Sequence, residues 1–441
     1  MPDANSLTLG EFSDTAFSEN HKRQMHRWVP WIAGFSGSFV MDVIRDAAPN
    51  GERLNILDPF AGVGTTLVES VWNGHSATGF EINPYAALAC RLKSQAGRYD
   101  LGKLAAAMDR FDDFLDEGSD REALPRSVAP PRFKSRVPFF SPSIERQVLC
   151  CTDFIREQDE KWVRALFQLA LGSVMVGFSN YSYEPSLGTR AGAGKPNIDH
   201  ADVYGIVRRK IRHIHADIAA FQGETSRFDQ RPEATVHACS YLSNGDRVPS
   251  GSVDLLITSP PYLNNYHYLR NTRPQLYWLG LVDEPAEVKS IERESFGQFW
   301  QTVRTGPEVP LNPSVEELAD LLTALRGRNA DRGAYGGPGW ANYAATYFND
   351  CQTFCRVTRP LMRPRGRLFV VIGNSILQGL EFRTDRIFAA IAEAEGFEKL
   401  GVHEVRKKRT GNSVVNSSVR IGTVSRPVRL YETVVELAVA A

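Results

Sequence analysis

The stretch LNILDPFAGVGTTLVESVWNGHSATGFEIN (residues 54–83) decides the fold of this 441-residue chain. Its first seven residues form an apolar run ending in Asp-Pro, which is typical of a buried strand. A glycine-rich turn leads into a helix that ends at Gly74, and residues 76–83 have the pattern of a second strand. Asn83 and Pro84 then provide the N-cap and first position of another helix. This order opens a doubly wound, mostly parallel α/β sheet.

The same alternation of strand and helix patterns returns later in the chain. Further strands are predicted at residues 234–242, 253–262, 367–375, 399–408 and 428–439. A polar loop joins the last two, which predicts an antiparallel hairpin at one edge of the sheet. Residues 101–232 interrupt the alternation with long helical patterns and are predicted to be a helical insertion.

These patterns divide the chain into four segments. Residues 1–20 are polar and predicted to be a flexible tail, and residues 21–100 form the first part of the sheet domain. The helical insertion at 101–232 follows, and residues 233–441 complete the domain. Within that last part, residues 264–340 form a second, irregular insertion.

The charge balance restricts the class of protein. The chain has 51 Lys and Arg against 51 Asp and Glu, so its net charge is zero. A protein that merely coats nucleic acid is expected to be basic, although a local cationic groove stays compatible with neutrality. Basic clusters occur at residues 208–212 and 406–409, and each is equally compatible with a solvated face.

The cysteines and the N-terminus point to an intracellular protein without a structural zinc site. None of the six cysteines forms a Cys-x-x-Cys pair, which disfavours zinc. The N-terminus has no signal-peptide pattern. The longest apolar stretch, residues 165–178, is too short to span a bilayer. We therefore expect a soluble, cytoplasmic protein with no membrane association.

The glycine-rich turn DPFAGVGTT (58–66) follows the first strand, where ligands bind in open α/β sheets. Gly62 and Gly64 allow a tight turn and a close approach to a ligand. A dinucleotide site requires a third Gly or Ala where this chain has Leu67, and the phosphate-loop Gly-Lys-Ser/Thr is absent. The turn therefore favours an adenosine ligand without a pyrophosphate. Glu81, at the end of the second strand, is placed to accept hydrogen bonds from ribose hydroxyls.

A second motif, TSPPY (258–262), follows the apolar run VDLLI. Two prolines directly after a strand end its hydrogen bonding and fix the backbone. The Ser259 hydroxyl and the Pro260 carbonyl can accept hydrogen bonds from the amino group of a nucleobase, whose lone pair is otherwise delocalised into the ring. Tyr262 can stack on such a base. The alternative interpretation of this motif is a loop that merely contains two prolines.

Together, the two motifs resemble those of the DNA amino-methyltransferases. Ser-Pro-Pro-Tyr is similar to the N4-cytosine branch, whereas the N6-adenine branch usually has Asp or Asn at the position of Ser259. HRWVPWIAGFSGSF (26–39) more loosely resembles the N-terminal segment of the family that lies near the cofactor. The resemblance implies a seven-stranded Rossmann-like methyltransferase sheet and S-adenosyl-L-methionine as cofactor. No metal is required.

The resemblance also implies the residues of the site. Cofactor contacts are expected from Asp58, Pro59, Phe60, Ala61, Gly62, Gly64, Thr65, Thr66, Glu81, Ile82 and Asn83. Asp58 is expected to meet the positively charged amino-acid end of the cofactor. The catalytic corner is expected to consist of Ser259, Pro260, Pro261 and Tyr262.

Double-stranded DNA is the expected partner, with a cognate restriction endonuclease as a further candidate. The helical insertion and residues 264–340 are candidates for target recognition. Candidate DNA contacts are Asn264, Tyr266, His267, Arg270 and Arg273, although these side chains could equally support the fold. The sequence does not predict the oligomeric state.

Three alternatives stay open: N6-adenine methylation, RNA base amino-methylation, and a catalytically silent nucleic-acid-binding subunit. C5-cytosine methylation is disfavoured because no cysteine follows a proline.

Overall fold

A seven-stranded sheet lies at the centre of the computed structural model, which describes residues 17–31, 34–119, 124–183, 186–264, 266–406, 418–421, 424–427 and 430–440. The strands in chain order are β1 (Asn55–Asp58), β2 (Ser76–Phe80), β3 (Tyr181–Tyr183), β4 (Leu187–Thr189), β5 (Ala234–His237), β6 (Val253–Thr258), β7 (Met362–Gly373), β8 (Ser375–Leu377), β9 (Leu380–Phe382), β10 (Phe397–Arg406), β11 (Ser418–Ile421), β12 (Val424–Pro427) and β13 (Glu432–Val439). The helices are α1 (Gly37–Ala47), α2 (Thr65–Trp72), α3 (Pro84–Ser94), α4 (Leu101–Ser119), α5 (Pro142–Arg156), α6 (Lys161–Val174), α7 (Val203–Thr225), α8 (Tyr241–Asn244), α9 (Tyr268–Trp278), α10 (Pro285–Glu294), α11 (Trp300–Val303), α12 (Glu316–Gly327), α13 (Gly337–Thr358) and α14 (Thr384–Ala394).

The order of strands in the sheet is β10-β13-β7-β6-β1-β2-β5. Neighbouring strands from β5 to β7 are parallel, whereas β13 is antiparallel to both β7 and β10. The predicted doubly wound sheet with an antiparallel C-terminal edge hairpin is therefore confirmed. Strand β1 lies between β2 and β6. The two sequence motifs, which follow β1 and β6, therefore begin side by side at the carboxyl ends of adjacent parallel strands.

Alternating residues of the strands face two separate cores. Ile56 and Leu255 pack with Phe39 of α1 on one face of the sheet. Leu57 and Leu256 point to the opposite face, where they share a core with α13 and α14. The period of two along each strand thus places helices on both faces of the sheet.

The helical insertion at 101–232 shares a third core with elements outside it. This core joins residues of α4 to α7 with Tyr85 of α3 and with Leu276 and Trp278 of α9. The stretch 180–197, within the predicted helical insertion, contains the hairpin of β3 and β4. The strand β3, Tyr-Ser-Tyr, contains two tyrosines, which favour β-structure. The glycines and prolines around it, which are typical of loops, made this preference hard to recognise in the sequence.

Several elements differ in extent from the predictions. β6 ends at Thr258 rather than residue 262, because Pro260 and Pro261 have no N–H for a ladder. β5 ends at His237 rather than 242, and a short helix follows at Tyr241–Asn244. These differences concern element ends, where side-chain patterns carry the least information.

The N-terminal segment contains a 3-10 turn at Phe17–His21 that crosses the predicted tail boundary at residue 20. Asn20 is buried and donates to the Phe35 carbonyl at 3.0 Å, while the Gly37 amide donates to its side-chain oxygen at 3.1 Å. Most of the predicted tail lies outside the described residues, as does most of the basic cluster at 406–409. Within the described part of the chain, no helix is long and apolar enough to cross a membrane.

Candidate active site

Hydrogen bonds from backbone amides connect the glycine-rich turn after β1 with β2 and with Glu81, which follows it. The Ala61 amide donates to the Phe80 carbonyl at 2.9 Å. The Gly62 amide donates to Glu81 Oε2 at 2.9 Å, and the Asn83 amide donates to Glu81 Oε1 at 2.6 Å. Both carboxylate oxygens of Glu81 are thus oriented by backbone donors at the edge of the turn.

Gly62 and Gly64 both have positive φ angles, 52° and 86°. A Cβ on Gly64 would lie 3.0 Å from the Cα of Cys90 and 2.9 Å from its Sγ. Helix α2 begins immediately afterwards at Thr65, so Gly64 allows this helix to start against α3. The indole Nε1 of Trp31 would lie 3.4 Å from a Cβ on Gly62, which places Trp31 beside the turn.

Asp58 connects the turn to the strand that carries the second motif. Its side chain is 1% exposed and accepts hydrogen bonds from Thr66 Oγ1 at 2.7 Å and from Thr258 Oγ1 at 2.6 Å. The Phe60 amide also donates to it at 3.1 Å. Burial raises the pKa of Asp58 to about 6, although these three hydrogen bonds oppose the shift. Asp58 is therefore saturated by the protein, and its expected contact with the cofactor stays a prediction.

Glu81 is the acidic group at this site that is partly exposed. Burial raises its pKa to about 7, the hydrogen bonds from Asn83 and Gly62 lower it, and the charge of Asp58 adds a smaller upward contribution. A carboxylate oriented by two amides can accept further hydrogen bonds from a pair of hydroxyl groups.

The other predicted cofactor residues surround this pair. Pro59, Ala61, Thr65, Thr66 and Asn83 are buried, whereas Phe60, Gly62 and Ile82 are half-buried. The Asn83 side chain caps α3 through the Tyr85 amide and donates to Thr272 Oγ1 at 2.8 Å. The ring of Phe60 packs edge-on against Phe296, with 5.1 Å between centroids.

The Ser-Pro-Pro-Tyr corner begins directly after β6. Ser259, Pro261 and Tyr262 are half-buried, and Pro260 is buried. The Tyr262 hydroxyl donates to Glu432 Oε1 at 3.3 Å, at the first residue of β13. Because Thr258 bonds to Asp58, the corner and the glycine-rich turn share one buried carboxylate.

Three of the five candidate DNA-contact residues (Asn264, Tyr266 and His267) precede α9, and the other two (Arg270 and Arg273) lie within it. Asn264 accepts from the Tyr266 amide at 3.2 Å. The His267 ring stacks on Phe299 with centroids 4.0 Å apart and bonds to Gln301 at 2.8 Å. Arg270 is exposed, whereas the Arg273 guanidinium lies over the rings of Phe133 and Tyr277. His267 and Arg273 thus also stabilise the fold.

Glu432, Thr258 and Trp31 were missed as parts of the site by sequence reasoning. Glu432 follows Tyr262 by 170 positions and Thr258 follows Asp58 by 200, so no local pattern relates them. Trp31 lies in residues 26–39, the N-terminal segment with the looser resemblance to the family. That resemblance was the one sequence signal that could have placed Trp31 near the cofactor turn.

Two buried carboxylates hold the N-terminal segment against the helices. Asp217 of α7 accepts from the Met25 amide at 3.0 Å, from Trp28 Nε1 at 3.0 Å and from Arg27 Nη2 at 2.6 Å. Glu69 of α2 pairs with His26 Nε2 at 2.8 Å. Burial lowers the pKa of His26 despite this pairing, so the fold favours the neutral imidazole.

The chain is similar over nearly its whole length to proteins named Type II methyltransferases. It is 22% identical over 435 residues to Type II methyltransferase M.BsoBI of Geobacillus stearothermophilus, which covers 90% of this chain and 83% of the relative. It is 22% identical over 441 residues to Type II methyltransferase M.AvaI of Nostoc sp., covering 93% and 86%.

Two other comparisons are less informative. No protein-family model matches the chain. A solved structure of the rRNA methyltransferase AviRa from Streptomyces viridochromogenes aligns with 96% of this chain and 92% of its own, at 8% identity and a TM-score of 0.33. A score that low supports no conclusion about function.

Proposed function

We propose that this protein is an S-adenosylmethionine-dependent DNA methyltransferase that transfers a methyl group to N4 of a flipped-out cytosine in a specific sequence. The observation that carries the proposal is the Asp58 bridge, which joins the glycine-rich turn to the Ser-Pro-Pro-Tyr corner through Thr66 and Thr258. The two motifs are therefore parts of one site. The names of the two relatives support methyl transfer as the reaction.

The turn fits an adenosine cofactor. Gly62 and Gly64 both adopt a positive φ that a side chain would strain, and Glu81 offers oriented carboxylate oxygens for ribose hydroxyls. When bound, S-adenosylmethionine supplies an electrophilic methyl group. Trp31 lies beside Gly62 and is placed to shield this end of the site from water.

The corner fits a nucleobase amine. Ser259 and the carbonyl of Pro260 accept hydrogen bonds from the amino group, which hold its lone pair out of conjugation with the ring. Tyr262 stacks on the base, which contributes about 1–3 kcal/mol. Its hydroxyl is held by Glu432, so the ring is oriented before the base arrives. A base inside a duplex cannot reach this corner, so the target nucleotide has to be extruded.

Replacing Ser259 by alanine tests the proposed role of the corner. Ser259→Ala removes one acceptor for the amine, and we expect a turnover roughly 10–100-fold lower, corresponding to about 1.5–3 kcal/mol for a hydrogen bond that matters in the transition state. Cofactor affinity, measured by calorimetry, should be unchanged. The measurement is transfer of labelled methyl groups to duplex DNA.

Ser252→Ala is the matched control. Ser252 precedes the other end of β6 and donates to the Pro249 carbonyl, remote from the corner. Turnover of this variant should equal that of the wild type. Equal turnover in the Ser259 and Ser252 variants would show that the corner does not contact the reacting amine.

A further inference from the structure

The first basic cluster of the sequence is neutralised within the fold. Arg208 and Arg212 of α7 both pair with Asp112 of α4, at 2.8 and 2.7 Å. Lys210 donates to the Arg27 carbonyl at 2.9 Å. Three of the four cations of this cluster thus hold helices and the N-terminal segment together.

A different set of cations lies beside the catalytic corner. We name it the basic strip and define it by Lys134, Arg136, Arg190, Arg270 and Arg273. Lys134, Arg136 and Arg270 are exposed, and the other two are half-buried. Among the residues that the structure describes, no carboxylate forms an ion pair with any of the five. The nearby Arg132 is different, since it pairs with Glu284 at 3.3 Å.

Hydrogen bonds join the three segments that carry these cations. The Tyr183 hydroxyl donates to the Asn271 carbonyl at 3.0 Å, and the Leu187 amide donates to Asn271 Oδ1 at 2.9 Å. The hairpin of β3 and β4 is thereby docked on the first turn of α9, beside Arg270. At its other end, the Tyr181 hydroxyl accepts from the Arg136 amide at 3.0 Å.

The remaining two cations occupy the same surface. Arg190 follows β4, whose last residue pairs with Tyr181, and the hydroxyl of the same tyrosine accepts from the Arg136 amide. The Arg273 guanidinium lies 5.7 Å from the ring centroid of Phe133, the neighbour of Lys134. The strip thus runs from α9 along the hairpin to residues 133–136.

The strip begins next to the site where the base must be bound. Helix α9, which carries Arg270, starts six residues after Tyr262 and adjoins the glycine-rich turn, since the Asn83 side chain donates to Thr272 Oγ1 at 2.8 Å. Strands of three residues extend about 10 Å. That length corresponds to about three nucleotide steps at 3.4 Å per step along one strand.

We propose that the basic strip binds the phosphate backbone of double-stranded DNA flanking the extruded base. This inference rests on the proposed function and adds the surface that carries the duplex. A chain with no net charge needs a local cationic surface to attract DNA, and this uncompensated strip adjoins the corner. Helix α9 and the docked hairpin provide a rigid base for these contacts.

The strip is tested by the salt dependence of DNA binding by the full-length protein. The test variant is the double substitution Lys134→Gln and Arg136→Gln, and fluorescence anisotropy with a labelled 30-base-pair duplex measures affinity between 50 and 200 mM KCl. Each lost phosphate contact reduces the slope of log K against log salt by about 0.9. Loss of two contacts lowers the slope by about 1.8. The factor by which affinity falls between 50 and 200 mM KCl should therefore be about 12 times smaller for the variant than for the wild type.

Arg209→Gln with Arg212→Gln removes the same charge from α7 and is the matched control. Its salt slope should equal that of the wild type. Thermal unfolding of both variants shows whether each is folded. Equal slopes for the strip variant and the control overturn the inference, as does a strip variant that loses affinity for duplex RNA but not for DNA.

A separate readout distinguishes failure of this inference from failure of the proposed function. Methyl transfer by the wild-type protein to the same duplex tests the function alone. If the wild type methylates DNA but the strip variant keeps the wild-type slope, only the strip assignment is wrong. If the wild type neither binds nor methylates DNA, both are wrong.

Discussion

At the scale of single residues, the site depends on backbone positions and buried acids that each have one physical role. Gly64 permits a left-handed turn against Cys90. Three donors offset part of the desolvation of the buried Asp58 carboxylate. Glu81 has two amide donors that orient its carboxylate. These roles predict different outcomes for substitution.

Gly64→Ala should damage the site far more than an equivalent glycine substitution elsewhere. The alanine has to adopt φ 86° and also meets the Cys90 backbone at 3.0 Å. We expect a loss of about 3 kcal/mol in the free energy of unfolding, which combines backbone strain with overpacking. Cofactor affinity should fall as the turn shifts. Urea denaturation and calorimetry measure the two effects.

Gly51→Ala is the control for backbone strain alone. Gly51 has φ 79°, and no heavy atom lies within 4 Å of a Cβ built on it. This variant should lose about 1 kcal/mol and bind the cofactor normally. Equal losses in the two variants would contradict the role assigned to the Cys90 contact.

The raised pKa of Glu81 predicts that cofactor affinity depends on pH. The ionised carboxylate accepts hydrogen bonds from hydroxyl groups better than the neutral acid, and its pKa is raised to about 7. Affinity should therefore increase by about tenfold from pH 6 to pH 8 as Glu81 loses its proton. Calorimetric titration with S-adenosylmethionine across this range is the measurement.

Glu81→Gln removes the titrating group and should remove this part of the pH dependence. Titration of groups on the ligand is common to both proteins, so the difference between the two profiles isolates Glu81. Parallel profiles would mean that Glu81 does not contact the ligand.

At the scale of elements, the N-terminal segment depends on one buried carboxylate. Asp217 of α7 accepts hydrogen bonds from Met25, Arg27 and Trp28, and these residues lead to Trp31 beside the turn. The segment contributes few strands or helices of its own, so side-chain hydrogen bonds hold it in place. Its docking is therefore sensitive to a single substitution.

Asp217→Ala should release the N-terminal segment. Removal of a buried hydrogen-bonded charge that pairs with Arg27 costs about 3 kcal/mol. Amide hydrogen exchange should increase over residues 20–31, and cofactor affinity should decrease because Trp31 is no longer held beside Gly62. Hydrogen-exchange mass spectrometry and calorimetry measure these changes.

Asp112→Ala in α4 is the corresponding change at a more exposed contact with α7. The Asp112 side chain is 30% exposed and pairs with Arg208 and Arg212, so its loss should cost about 1 kcal/mol. Exchange in residues 20–31 should stay at the wild-type rate. An equal increase in exchange in both variants would mean that the Asp217 hydrogen bonds do not hold the segment.

At the scale of the whole molecule, local patterns predicted the sheet but not the contacts between distant segments. The parallel strands, the edge hairpin and the turn after β1 follow from periodicity and glycine placement. The Asp58–Thr258 and Tyr262–Glu432 contacts join residues 200 and 170 positions apart, so only the folded sheet brings them together. The basic strip combines three segments that are far apart in the sequence, at residues 134–136, 190 and 270–273.

The central claim is methyl transfer to the N4 amino group of cytosine in DNA. The most direct measurement is nucleoside mass spectrometry of duplex DNA after incubation with the purified protein and S-adenosylmethionine. The proposal predicts N4-methylcytosine and its loss in the Ser259→Ala variant. N6-methyladenine as the only product would contradict the assignment of cytosine, and methyl transfer to tRNA without transfer to DNA would contradict the assignment of DNA.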